Sequence, residues 1–218
     1  LVAHVPLNQF ASNPSAGNDI WGHVDLNTGR EYALIGLNNG TAIVNLSTPK
    51  IPRVVDIVPG SNAIWRDIKV YQYYDSNSGK WQAYAYVSTD GASNGVAIID
   101  LSGLPDSVEL VNTSNQDNSL HNIYISNVNY TTGVAINGRS ASLHAMGSNK
   151  YGGAHRSYSL TNPKSPSTLY TPINATRDDY THDGTSFVVE DDRAQTQCQQ
   201  SGDTCDVFVD FNEKEMRL

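Results

Sequence analysis

Glu31-Tyr32-Ala33-Leu34-Ile35-Gly36-Leu37, then Asn38-Asn39-Gly40, then Thr41-Ala42-Ile43-Val44-Asn45-Leu46 decides the fold. Two apolar runs of strand length meet at an Asn-Gly turn, which is the sequence form of a β-hairpin. The phrase returns: Trp81-Gln82-Ala83-Tyr84-Ala85-Tyr86-Val87 leads through Asp90-Gly91 and Asn94-Gly95 into Val96-Ala97-Ile98-Ile99-Asp100-Leu101. Both faces of these strands are apolar, so each sheet must be covered on both sides, and stacked sheets are expected.

The second strand of each hairpin ends in a recurring phrase, Asn45-Leu46-Ser47, Asp100-Leu101-Ser102 and Ser159-Leu160-Thr161, with the leucines 55 and 59 residues apart. Proline follows each time, and outer strands are expected over Arg53 to Val58 and Ser167 to Pro172. Ahead of each hairpin stands a second phrase: Asn18-Asp19-Ile20-Trp21, Arg66-Asp67-Ile68-Lys69-Val70, His121-Asn122-Ile123-Tyr124 and His182-Asp183-Gly184-Thr185. Its second members, Asp19, Asp67, Asn122 and Asp183, are 48, 55 and 61 residues apart.

A four-strand unit of this length is a β-propeller blade near kelch size. The spacing predicts an all-β chain covering about three and a half blades of an incomplete ring. Blade one spans about 18–59, blade two 65–113, blade three 120–173, and blade four starts within 180–218. Such a ring cannot close alone, so its first expected partner is the rest of the propeller, a missing C-terminal part or a second chain. Residues 1–7 are expected to pair with the last blade as a closing strand, with Asn212-Glu213-Lys214 turning into a last return strand.

Composition limits the function. The 22 acids against 14 bases give a net charge of −8, which argues against nucleic acid because a polyanion needs a basic face. Asn (21), Ser (22) and Thr (15) supply the polar surface in place of charge, a profile suited to a secreted or cell-surface protein. No apolar run is long enough for a membrane span. Cys198 and Cys205 flank a polar loop and are expected to form a local disulfide in an oxidising compartment. N-glycosylation sequons at Asn39, Asn45, Asn112, Asn129 and Asn174 are permitted sites, although roughly four arise by chance from this much Asn, Ser and Thr.

The stretches Gly17-Asn18-Asp19-Ile20-Trp21-Gly22, Gly29 to Gly36, Trp65-Arg66-Asp67-Ile68-Lys69-Val70-Tyr71, Leu120-His121-Asn122 and Asp179-Tyr180-Thr181-His182-Asp183 resemble the choice-of-anchor B family. These are secreted LVIVD-repeat propeller proteins of bacteria and fungi. The resemblance extends from Pro6 onward and is most specific at Trp-Arg-Asp-Ile-Lys-Val. It implies the propeller, its extracellular address and a longer parent polypeptide, and it implies no chemistry. Gly153-Ala154-His155-Arg156-Ser157-Tyr158 departs from it, replacing an apolar hairpin return in blade three.

In a propeller the first strand of every blade lines the channel, so Asp19, Asp67, His121, His182 and Asp183 are candidates for a metal ring. Hard carboxylate oxygens there favour Ca²⁺, the one cofactor entertained, and imidazoles favour a transition metal. The competing reading has the same side chains satisfying backbone amides between blades. Asp75-Ser76-Asn77-Ser78-Gly79 starts like a calcium loop but lacks the closing Glu, so a hairpin loop is expected. Trp21, Trp65, Asp19 and Arg66 are the binding candidates. No nucleophile elbow, zincin helix or phosphate loop is present. The favoured function is a non-enzymatic module presenting loops to a protein or glycan. The alternative is a channel-sited hydrolase or lyase, metal-dependent or not, using His121 and His182 with Asp67 or Asp183.

Overall fold

The computed structural model describes residues 1–136, 138–198 and 202–218. Its regular structure is strand, in antiparallel sheets that follow one another along the chain. The first sheet runs in chain order through β1 (Gly17–Asp25), β2 (Arg30–Leu37), β3 (Gly40–Asn45) and β4 (Arg53–Pro59). The next repeats that order with β5 (Ile68–Asp75), β6 (Lys80–Val87), β7 (Val96–Asp100) and β8 (Glu109–Ser114). After β9 (Asn122–Ser126) come a small hairpin, β10 (Val128–Asn129) with β11 (Val134–Ala135), and then β12 (Ser142–Met146), β13 (Arg156–Ser159) and β14 (Ser167–Tyr170). Strands β9, β12, β13 and β14 make the third sheet. The last sheet contains β15 (Asp183–Val189), β16 (Cys205–Phe211) and β17 (Met216–Arg217) among the described residues. α-Helix is limited there to one turn, α1 (Arg193–Thr196).

Side-chain alternation stacks the sheets. In β6 and β7, Tyr84, Tyr86 and Ile98 pack with Ile123, Ile125, Leu143, Ala145 and Tyr158 of the third sheet. Their neighbours Ala83, Ala85, Val87 and Ile99 face the other way, onto Tyr32, Leu34, Ile43 and Val58 of the first. The two-faced apolar strands read in the sequence are therefore covered on both sides. First strands lie beside first strands: β1 packs on β5, β5 on β9, and β9 on β15.

The first hairpin of each of the first three repeats turns in the same way. Asp25 and Asp75 accept the N–H of Asn27 and Asn77 on Oδ1 at 2.9 and 3.0 Å, and Asn129 accepts that of Thr131 at 2.9 Å. Each loop closes on a left-handed glycine, Gly29, Gly79 or Gly133. Asp75–Gly79 is thus a hairpin turn, as expected. In the third copy the hairpin tip leaves its own sheet, and β11 runs parallel to β5 through Val134 opposite Gln72, a crossing that the repeat spacing did not announce.

Residues 1–7, expected to pair with a last blade, make no ladder with the described sheets: Leu1 and Val2 are exposed, Leu7 opens a 3-10 turn, and Phe10 is the buried anchor, against Ala33, Leu37 and Ala42. One further expectation needs correction. The outer strand of the third repeat stops at Tyr170, short of Pro172. The polar return at 153–158 becomes a strand from Arg156 on, after a 3-10 turn that includes Gly153. Arg156 is buried there, bonded to Asp117 at 2.8 Å and to the Gln116 carbonyl at 2.9 Å, while Tyr158 donates to the other Asp117 oxygen. A buried ion pair replaces apolar packing at that edge.

Gly40 and Gly95 open the third strands of the first two repeats, where the outer strand presses on the backbone. A Cβ at Gly40 would stand 2.4 Å from the Val58 carbonyl oxygen, and one at Gly95 would stand 1.7 Å from that of Ser114. Gly40→Ala and Gly95→Ala are each expected to destabilise by roughly 2–4 kcal/mol in urea unfolding, and Gly22→Ala, with open space around it and no left-handed backbone, by less.

Candidate functional site

The repeated phrase before each first strand places its polar side chains where successive sheets meet. Asp19 Oδ2 accepts the Ile68 N–H at 3.0 Å, and Asp67 Oδ2 accepts the Ile123 N–H at 2.9 Å. Asn122 continues the series with the opposite polarity, its Nδ2 donating to the His182 carbonyl at 2.8 Å. Each second member of the phrase thus reaches forward to the next copy. Asp183 instead accepts the N–H of its own neighbour Gly184 at 2.7 Å. Burial raises the Asp67 carboxyl to about 6 against the pull of the Lys69 ammonium beside it, and a hydrogen bond with Asp19 adds to the rise. Among the described residues no three His, Cys, Asp or Glu side chains come together as metal ligands. The five-residue ring is therefore not assembled there, and the carboxylates of Asp19 and Asp67 are engaged by amides.

The binding candidates separate. Arg66 is buried, its guanidinium donating to the Leu37 carbonyl at 2.8 Å, to Thr89 Oγ1 at 2.9 Å and to the Ser61 carbonyl, so it stitches the first hairpin turn to the second sheet. Trp21 meets Tyr130 edge-on at 5.8 Å and carries the Lys69 ammonium over its ring at 4.6 Å, a wedge at the first two sheets' seam. Trp65 alone of these is a free aromatic surface, 53% exposed.

Trp65 borders a cluster that brings the two histidine candidates together. Its carbonyl accepts the Asp90 N–H at 3.0 Å, and Asp90 Oδ2 lies 2.9 Å from His121 Nδ1. His121 Nε2 lies 3.2 Å from His182 Nε2, and Ser119 Oγ steadies the other Asp90 oxygen at 3.2 Å. The two histidines lie side by side, and the carboxylate bonded to His121 is Asp90 and not Asp67 or Asp183. In the sequence Asp90-Gly91 carries only a turn signal, so nothing there marked it.

A second imidazole pair lies outside the repeated phrases. His144 Nδ1 is 2.8 Å from His155 Nε2, and His144 Nε2 is 2.9 Å from Ser126 Oγ. Phe208 of β16 stacks on both rings, at 4.6 Å on His144 and 3.9 Å on His155. Burial holds His144 near 3, with the neighbouring His155 adding, and holds His155 near 4. The available signal was the alternation Ser142-Leu143-His144-Ala145-Met146, which puts His144 on the face opposite Leu143 and Ala145.

Cys198 and Cys205 form a disulfide with their Cα atoms 6.6 Å apart; residues 199–201 of the loop between them lie outside the described residues. Of the sequons, Asn39 and Asn112 donate their side-chain N–H to Ser12 and Lys164 carbonyls, and Asn45, Asn129 and Asn174 make no such donation among the described residues. Asp179 pairs with Arg217 at 2.9 Å and Asp191 with Arg193 at 2.7 Å, both at the surface. No helix among the described residues is long and apolar enough to cross a membrane. Compared with protein-family models, curated proteins and solved structures, the chain has no significant match.

Two outcomes are expected. Asp67→Ala strands the Ile123 amide and should cost about 1–3 kcal/mol in urea unfolding, whereas Asp183→Ala should stay within about 0.5 kcal/mol. Stability should also fall on acidification. His23, His144 and His155 have folded pKa values lowered by burial to about 4, 3 and 4, so the unfolded chain binds protons first and stability present above about pH 6.5 is lost as pH falls toward 4. Each contributes about 2 kcal/mol between pH 6.5 and 5. Asp67, raised to about 6, acts in the opposite direction and offsets part of this. A urea midpoint unchanged between those pH values would contradict it.

Proposed function

We propose that this chain is a secreted or cell-surface β-propeller module of the choice-of-anchor B kind, presenting one end of its blades to a protein or glycan partner without catalysing a reaction. The observation that carries the reading is the use of Asp19 and Asp67: carboxylates that a channel hydrolase would aim at substrate are held by backbone amides of the next repeat. The repeated strand order, with first strand packed beside first strand, supports the propeller. On this reading further blades complete the ring, from the same polypeptide or a second chain. The disulfide fits an oxidising compartment, where the accessible sequons would carry glycans.

The presenting end is the one that bears Trp65. An exposed indole beside Asp90 and two imidazoles offers a stacking face with hydrogen-bonding groups at its rim, the composition of a sugar or peptide anchor. A second reading, a hydrolase or lyase, rests on the Asp90–His121–His182 alignment, which can pass a proton.

Glycan-array and surface-binding measurements on the intact chain, paired with glycoside, ester and uronide turnover assays, separate the two. Saturable binding that Trp65→Ala weakens at least about tenfold, without turnover, is expected. Turnover abolished by His121→Ala would overturn the non-enzymatic reading.

A further inference from the structure

We infer that His121 and His182 form a binding site for one divalent transition-metal ion of the zinc class at the junction of the third and fourth repeats. The inference goes beyond the proposed function and holds whether the surrounding face takes protein or glycan. Two Nε2 atoms 3.2 Å apart match two imidazoles on one tetrahedral ion, whose nitrogens, at ~2.05 Å from the metal, stand about 3.3 Å from each other. The ring planes are inclined at 63°, so the rings are not stacked and their edges meet at the two Nε2 atoms.

Asp90 supplies the second element of the site. Its Oδ2, 2.9 Å from His121 Nδ1, accepts the proton there and leaves the Nε2 lone pair directed toward His182. Ser119 Oγ and the Trp65–Asp90 backbone bridge fix that carboxylate, and the Asn122 bond to the His182 carbonyl fixes the other ligand. Without metal, His182 Nε2 donates to His121 Nε2. On binding, that proton moves to His182 Nδ1, both Nε2 lone pairs coordinate, and no net proton is released.

The donors select the ion. Imidazole nitrogen suits zinc, nickel, cobalt and copper and is a poor ligand for Ca²⁺. No third His, Cys, Asp or Glu joins the pair among the described residues, so the remaining positions are open to water or to a partner's own ligand. His182 is exposed, which gives the ion access. The His144–His155 pair is not equivalent: it is buried beneath Phe208, and its contact joins Nδ1 to Nε2.

The test is calorimetric titration of Zn²⁺ into the full untagged chain at neutral pH, with long-range ¹H–¹⁵N spectra of the histidine rings. One ion per chain is expected, with the Nε2 resonances of His121 and His182 moving together. His182→Gln, at an exposed position, should abolish binding, Asp90→Asn should weaken it about 10–100-fold, and His4→Gln should leave it unchanged. If Asp90→Asn disturbs folding, His182→Gln decides alone. No binding, binding unaffected by His182→Gln, or shifts confined to His4 would overturn the site.

Discussion

The structure depends on a side chain at the start of one sheet reaching a backbone group at the start of the next. A first strand at a sheet's edge leaves N–H and C=O groups without ladder partners, and burying them unpaired costs about 1–3 kcal/mol each. Asp19 meets this for Ile68 and Asp67 for Ile123, while Asn122 donates to a carbonyl because the group opposite it is the His182 oxygen. The same contacts set the spacing between sheets. Core side chains can then interleave, as Ile98 and Ile99 do by facing opposite neighbours.

The seams differ in chemistry. Between the first and second sheets, and between the second and third, packing is aliphatic and aromatic. Between the third and fourth, Phe208 stacks on His144 and His155, and close by His121 meets His182. Apolar packing is indifferent to pH, whereas the imidazoles buried at the third junction and the Asp67 carboxyl at the second, shifted by burial, each respond to it.

Strands were legible wherever apolar runs met strong turn chemistry: the sequence segments 31–37, 41–46 and 81–87 match β2, β3 and β6 closely. The disulfide was legible from the spacing of the two cysteines together with the secreted profile. Asp90 was hidden because Asp-Gly reads as a turn whether or not its carboxylate has another use. Arg66 read as a binding residue because a charged side chain is usually exposed, and only the carbonyls of Leu37 and Ser61, brought in from the first sheet and its link, explain its burial. His144 and His155 lie outside the repeated phrases, and their pairing needs β13 folded against β12 before it exists.

The most direct test of the forward-reaching contact is hydrogen exchange at the Ile123 amide, whose acceptor is Asp67 Oδ2. In the native chain this amide should be as protected as those in the middle of the sheets, such as Ile43 and Ile99. In Asp67→Ala it should lose at least about tenfold in protection relative to them, the loss of one buried hydrogen bond. Unchanged protection of Ile123 in that variant, or free exchange in the native chain, would contradict the account.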